Sequence, residues 1–128
     1  MKIEELKVYN LSLEFGEDVW KLTEIWDSFS KEAIGKMLIL SADQIAAHIS
    51  TGFGRFNPRE TLQYAYYSRG ALYETKTWLT KAFNRNLIRE EDFQLFMNNI
   101  DGLGKMLNNY IRSISKPKEK EFDKLESV

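Results

Sequence analysis

Apolar residues recur at helical spacing in four stretches of this chain. Side chains three or four positions apart share one face of an α-helix, so each stretch predicts an amphipathic helix. The predicted helices span about residues 8–29, 31–51, 57–84 and 90–115. Their apolar stripes are Phe15, Val19, Leu22, Trp26 and Phe29; Ile34, Leu38, Ala42, Ile45 and Ile49; Ala65, Leu72, Leu79 and Ala82; and Phe93, Phe96, Ile100, Leu103, Leu107, Tyr110 and Ile114. Four such helices with short connections predict an all-α, antiparallel up-down-up-down four-helix bundle.

The best boundary signals lie between the second and third helices. Gly52 is expected to end the second helix, because glycine readily takes the left-handed conformation after a helix, and residues 52–56 then form a loop. Asn57 is an N-cap residue and Pro58 suits the first helical position. Glu60 is placed to reach back to the Asn57 N–H as in a capping box.

The fourth helix and the end of the chain differ sharply in composition. Glu90, Glu91 and Asp92 suit the positive end of a helix dipole, so the last helix is expected to begin there. From Lys116 onward the residues are mostly charged. We therefore predict one domain over residues 1–115 and a short frayed tail over residues 116–128.

Composition removes several classes of protein. The 128 residues include no Cys, so a disulfide scaffold, a thiolate metal site and a Cys nucleophile are excluded. With only 2 Pro, a β-sandwich with many turns and a Pro-rich disordered chain are excluded as well. No apolar run approaches the 18 or so residues of a membrane span, and no apolar region follows Lys2 as in a signal peptide. A cytoplasmic protein is expected.

The net charge of −1 conceals an uneven distribution. Residues 1–51 carry −4, residues 52–89 carry +5 and residues 90–115 carry −2, whereas the tail is neutral. The basic third helix either complements acidic first and fourth helices beside it, or meets an acidic partner or a phosphate backbone. The candidate binding residues are Arg55, Arg59, Arg69, Lys76, Lys81 and Arg85.

Candidate chemistry is sparse. His48 is the only histidine, and Ile45 stands where a bundle di-iron site would need glutamate, so no metal site is expected. His48 is interpreted as a hydrogen-bonded or half-exposed helix residue. Arg69 and Glu74 are candidates for a buried salt bridge or polar packing contact. We expect no catalytic residue and no cofactor, since no nucleophile has a base to partner it.

Aromatic residues make up 13% of the chain, more than four core stripes can absorb. A second apolar surface on a small bundle usually marks an interface, whereas aromatic rings beside arginines can also stack on bases. Self-association is the favoured interpretation. The candidate interface residues are Trp20, Ile39, Leu40, Tyr64, Tyr67 and Trp78.

Three segments resemble a known family. Residues 45–55, which end in Gly52-Phe53-Gly54-Arg55, together with residues 57–60 and 68–74, are similar to the central signature of the 23S ribosomal RNA intervening-sequence proteins. The likeness extends over about residues 6–114. It implies a four-helix bundle that assembles as a homopentamer and has a largely undefined role. A related branch, the accessory variability proteins of diversity-generating retroelements, binds nucleic acid and a reverse transcriptase.

The retained and altered positions refine what this resemblance implies. The Gly52–Arg55 turn, Arg69 and Glu74 are kept and look architectural. Ile39 and Leu40 replace the paired arginines that the family often carries, which favours protein contacts over nucleic acid. The leading hypothesis is a non-enzymatic, oligomeric scaffold or adaptor with a protein partner. The alternative is an RNA- or DNA-binding accessory protein that uses the basic third helix.

Overall fold

A computed structural model describes the backbone of residues 1–126 and the side chains of residues 1–115. The described backbone contains four long helices and no strand. They are α1 (Lys7–Glu24), α2 (Lys36–Gly54), α3 (Pro58–Asn84) and α4 (Glu90–Glu126). A 3-10 turn, Ile3–Glu5, precedes α1, and two short segments, Ser28–Ser30 and the π-helical Lys31–Gly35, lead into α2. The predicted all-α fold is confirmed. None of these helices has the length and apolar character needed to cross a membrane.

Contacts between α2 and α3 define their antiparallel packing. The Ser68 hydroxyl donates to the Ile45 carbonyl at 2.7 Å, and the Thr75 hydroxyl lies 3.0 Å from that of Ser41. Later residues of α3 therefore meet earlier residues of α2. All three of these hydroxyl-bearing side chains are buried, so the interface between the two helices contains a satisfied polar layer within an apolar core.

The fourth helix closes the bundle. Phe93 stacks on Phe83 with ring centroids 4.3 Å apart, and Phe96 meets Phe15 edge to face at 6.1 Å. Since Arg69 bonds Asn108 farther along α4, the α3 and α4 helices also run antiparallel. Helices α1 and α3 each pack against both α2 and α4, and they lie diagonally opposite each other. The connectivity is that of an up-down-up-down bundle.

The predicted apolar stripes form most of the core. Val19, Leu38, Ile45, Leu79 and Leu107 are completely or almost completely buried. One hydrophobic cluster joins residues of all four helices. Burial of these branched side chains provides the main stabilisation of the fold, at about 1.5–3 kcal/mol for each large one.

The end of the first helix differs from the prediction. α1 stops at Glu24 rather than near Phe29, because Asp27 caps a new helical turn. The Asp27 carboxylate accepts hydrogen bonds from the Ser30 N–H and hydroxyl, each at 2.9 Å. The reset in direction leaves Phe29 80% exposed instead of on the core stripe. Trp26, at the break, stays buried as predicted.

The predicted frayed tail, residues 116–128, lies outside the part of the chain whose side chains are described. The backbone of α4 is helical as far as Glu126.

Candidate functional site

The turn between α2 and α3 is built differently from the expectation for a glycine-terminated helix. α2 continues through Gly52 and Phe53 to Gly54, and no glycine of the described chain has a positive φ. The left-handed conformation falls instead on Phe56, with φ of 54°. The prediction that Gly52 ends the helix in this conformation was therefore wrong.

Gly52 serves close helix packing instead. A Cβ placed on it would lie 2.8 Å from the Tyr64 Cβ and 3.2 Å from the Thr61 carbonyl oxygen. The Thr61 hydroxyl donates to the Gly52 carbonyl at 2.8 Å, which joins the end of α2 to the start of α3. The absence of a side chain thus allows the backbone of α2 at Gly52 to pack directly against Thr61 and Tyr64 of α3 near the turn.

The start of α3 follows the predicted cap only in part. The Asn57 side-chain oxygen accepts from the Arg59 N–H at 3.0 Å and the Glu60 N–H at 3.4 Å, with Pro58 at the first helical position. This confirms the N-cap. The return bond from the Glu60 carboxylate to the Asn57 N–H, which would complete a capping box, does not form between these described residues.

An aromatic group beside this turn holds the single histidine. The ring of His48 lies 6.2 Å from that of Tyr64 and 5.8 Å from that of Tyr67, and the two tyrosines meet edge to face at 5.4 Å. Arg55 lies over the Tyr64 ring at 5.6 Å, a cation–π contact. His48 is partly exposed, as predicted, and packs on rings with no acidic partner within the described side chains. This group supplies no general base paired with a nucleophile.

The retained pair Arg69 and Glu74 is not a buried salt bridge. Arg69 is partly exposed, donates to Asn108 at 3.1 Å and lies over the Tyr66 ring at 5.0 Å. Glu74 is exposed. Five residues apart on a helix, the two side chains point about 140° from one another, so the predicted contact cannot form.

The predicted interface residues separate into exposed and packed groups. Trp20 is 52% exposed, Leu40 56% and Tyr67 47%. Tyr64 is half-buried in the aromatic group, and Ile39 and Trp78 are half-buried and pack against the core. A helix flanked by two neighbours buries side chains well beyond its central stripe.

Trp20 and Leu40 belong to an apolar surface on α1 and α2. Leu13, 45% exposed and seven residues before Trp20, continues the surface along α1. We call these three side chains the α1–α2 face. Exposed apolar residues clustered on one side of a small bundle are typical of an interaction surface.

A cleft of about 270 Å³ lies between α1 and α2 beside Leu13, and the sequence alone did not predict it. Its only charged lining residues are Glu17 and Asp43. A Cβ on Gly16 would stand 2.8 Å from an Asp43 carboxylate oxygen, so α1 has a glycine where this carboxylate approaches. Partial burial, and then the charge of Glu17, raise the pKa of the Asp43 carboxyl above its ordinary value. The signal in the sequence was Gly16, which is unfavourable in a helix unless something packs on it.

The basic residues of the third helix are spread over its surface. Arg69 and Lys76 are seven positions apart and so share one side of the helix. They line a groove of about 260 Å³ against α4, together with Lys105 and Asp101. Lys81 and Arg85, one turn apart, are exposed elsewhere on the helix. The remaining two are Arg59, exposed at the start of α3, and Arg55, held by Tyr64.

Direct ion pairing does not explain the charge pattern. The two salt bridges of the described residues, Lys36–Glu32 and Arg89–Asp92, each join neighbours in sequence. Moreover α3 lies diagonally opposite α1 rather than beside it. α3 lies beside α4, as expected, but not beside α1, and no salt bridge joins it to either helix within the described side chains. Residues 1–115 contain no cluster of three potential metal ligands.

Comparisons with known proteins agree with this architecture. Residues 4–109 match the family described as 23S rRNA-intervening sequence protein. A crystal structure of a protein with unknown function from the S23 ribosomal protein family of Bacteroides thetaiotaomicron superposes with a TM-score of 0.76 at 22% identity, and the match covers 82% of this chain and 95% of that one. Among proteins with curated descriptions, none matches.

Proposed function

This chain belongs to the 23S rRNA-intervening sequence protein family, and on that premise we propose that it is a non-enzymatic scaffold that assembles with copies of itself. The observation that carries the proposal is the α1–α2 face. Leu13, Trp20 and Leu40 are each about half exposed, whereas the core stripes of the same two helices are buried. Covering these side chains with a second copy would remove apolar area from water at about 25 cal/mol per Å².

The non-enzymatic part of the proposal is supported by the placement of polar groups. Serines and threonines of the core, such as Ser41, Ser68 and Thr75, bond to backbone or to each other and are sealed from solvent. His48 faces tyrosine rings. Catalysis by general acid or base needs a titratable group within reach of a substrate proton. In the cleft that holds Glu17 and Asp43, both serine hydroxyls are already bound to backbone carbonyls, Ser12 to Val8 at 2.7 Å and Ser50 to Ala47 at 2.8 Å.

Light scattering or sedimentation tests the assembly. The native chain is expected to sediment as a multiple of 15.0 kDa at micromolar concentration, with a pentamer as the size that the family resemblance suggests. Leu40→Glu places a charge on an apolar position of the α1–α2 face and is expected to reduce the mass to that of one chain. A native protein that remains a 15.0 kDa monomer would contradict the proposal.

Tyr73→Glu provides the matched control. Tyr73 is 64% exposed, slightly more than Leu40, and lies on the groove between α3 and α4. The same charge introduced there should leave the mass unchanged. Loss of assembly in both variants would point to unfolding, which circular dichroism detects directly.

A second candidate function, binding of RNA or DNA, is favoured by the groove between α3 and α4. Arg69, Lys76 and Lys105 line it, and Tyr73 adds an exposed ring, whereas Asp101 is its single carboxylate. Cations along a groove contact phosphates, and aromatic rings stack on bases. Self-assembly is favoured over this function because the α1–α2 face exposes apolar side chains that a second copy would cover.

Titration with labelled single-stranded RNA at two salt concentrations tests the second function. Phosphate contacts predict that affinity falls as salt rises, and Lys76→Glu should weaken binding for every sequence. Lys31→Glu changes an exposed charge outside the groove and serves as the control. No binding at low salt, or binding that ignores salt, would contradict this mode.

A further inference from the structure

We propose that copies of this chain join head to tail, with the α1–α2 face of one copy seated on the basic outer surface of α3 of the next, so that Glu17 and Asp43 meet Lys81 and Arg85. This inference rests on the proposed self-association and specifies which two surfaces form the contact. The α1–α2 face is thus covered by a second copy, which binds through its α3 surface and not through its own α1–α2 face.

The two carboxylates on the acidic side of this contact have no ion-pair partner within the described side chains. Glu17 and Asp43 line the cleft, and neither forms a salt bridge within the described side chains. Lys36, the single basic residue of α2, is bound to Glu32 at 2.8 Å. Lys21, four residues after Glu17 on α1, is exposed and forms no ion pair with it among the described residues. The two carboxylates would lose hydration on association, and cations from a partner would compensate that loss.

The cleft is also shaped for a side chain. Its volume of about 270 Å³ accommodates a long basic side chain whose methylenes contact Leu13 and Ala47. Such a side chain packs its stem on apolar surface while its charged end reaches the carboxylates. The partial burial that raises the pKa of Asp43 already reduces its contact with water before association. A guanidinium or ammonium group from a partner would compensate that loss of hydration.

The basic side lies on a different surface of the same chain. Lys81 lies in the last turn of α3, and Arg85 follows the last helical residue with its N–H bound to the Lys81 carbonyl at 3.0 Å, so both lie at the same end of the helix. Both are exposed without an ion pair among the described residues. Tyr67 and Glu74 precede Lys81 at intervals of seven residues and so share its face of α3. Tyr67, 47% exposed, offers apolar area beside the cations, and Glu74 is the one carboxylate of the row.

Charge decides between head-to-tail and face-to-face contact. If two α1–α2 faces met about a twofold axis, Glu17 and Asp43 of each copy would face the same carboxylates of the other, which is unfavourable. A head-to-tail contact instead places Glu17 and Asp43 of one copy against Lys81 and Arg85 of the next. Contacts between unlike surfaces generate closed rings when the rotation between copies closes.

Charge reversal on each side tests the inference by sedimentation equilibrium of the full chain. Lys81→Glu with Arg85→Glu, and separately Glu17→Lys with Asp43→Lys, should each raise the dissociation constant of assembly about a hundredfold or more. All four changes in one chain restore opposite charges across every contact and should recover assembly. Lys76→Glu with Lys105→Glu, on the α3–α4 groove, makes the same change in charge and should leave assembly unchanged.

The outcomes separate this inference from the proposal beneath it. A native chain that is monomeric overturns both. Assembly of the native chain that survives Lys81→Glu with Arg85→Glu overturns the head-to-tail contact and leaves self-association in place. If the variant with all four substitutions is folded by circular dichroism but does not assemble, the pairing of these two surfaces is also overturned.

Discussion

Three glycines of this chain illustrate how the same residue serves different purposes. Gly52 and Gly16 stand in helices where a neighbour approaches the Cα closely, Tyr64 and Thr61 in one case and the Asp43 carboxylate in the other. Gly70 lies on an exposed part of α3, where an added Cβ would meet nothing within 4 Å. A glycine in a helix is thus required or merely tolerated according to what packs on it.

Gly52→Ala is expected to destabilise the protein by about 1–3 kcal/mol, a typical cost of overpacking. The added methyl group would meet both a Cβ and backbone atoms of α3, which cannot rotate away as the end of a long side chain could. The free energy of unfolding in urea gives the measurement. A variant as stable as the native chain would contradict the role assigned to this glycine.

The control is Gly70→Ala, the same substitution in a helix without a neighbour. Alanine should increase stability there by about 0.5–1 kcal/mol, because it restricts the unfolded chain and favours the helix. Opposite signs for the two substitutions would isolate the effect of the close approach at the α2–α3 turn from helix propensity.

At the scale of elements, helix starts depend on single side chains. Asp27 and Asn57 each supply the oxygen that satisfies free N–H groups, of Ser30 in one case and of Arg59 and Glu60 in the other. The N-cap at Asn57 was predictable from local sequence because proline follows it. The cap at Asp27 was not recognised, because the apolar spacing of Phe29 suggested an uninterrupted helix.

Asp27 also gives the fold a dependence on pH. Its hydrogen bonds from the Ser30 N–H and hydroxyl lower the pKa of its carboxyl below the ordinary 3.8. The ionised form therefore stabilises the folded state above that pH, and this contribution is lost as the pH falls through the lowered value. Asp27→Ala should thus be less stable than the native chain at pH 7, and the difference should shrink toward pH 2.

Unfolding in urea at several pH values measures that difference. Asp18→Ala, which removes an exposed carboxylate without a hydrogen bond in the described residues, separates the loss of a cap from the loss of one charge. A difference between native and Asp27→Ala chains that stays constant from pH 7 to pH 2 would contradict the assignment.

At the scale of the whole molecule, periodicity was sufficient for the bundle but not for its surface. Positions such as Leu38, Leu79 and Leu107 were recognisable as core because their spacing matches the helical repeat. Which helices are neighbours, and so which residues sit beside a core stripe, depends on tertiary packing. For this reason the packing of Ile39 and Trp78 against the core and the cleft at Asp43 do not follow from the spacing alone.

The charge segments have a similar limit. The contrast between a net charge of −4 on residues 1–51 and +5 on residues 52–89 is visible in the sequence. The position of α3 diagonally across the bundle from α1 is not. Within one molecule the acidic face of α1 and the basic surface of α3 are held apart. This separation leaves both surfaces available to other molecules. It is the physical basis for proposing that the acidic surface of one copy pairs with the basic surface of another.

The half-exposed indole of Trp20 makes the protein its own optical reporter. Trp20 is 52% exposed, whereas Trp26 is 7% exposed. An indole has an apolar body and a polar N–H, and its emission moves to shorter wavelength when water leaves it. Dilution of an assembly that covers Trp20 would therefore shift its emission to longer wavelength while Trp26 stays buried. Unfolding would then hydrate Trp26 and the half-buried Trp78 in a second step, so association and folding can be followed separately without a label.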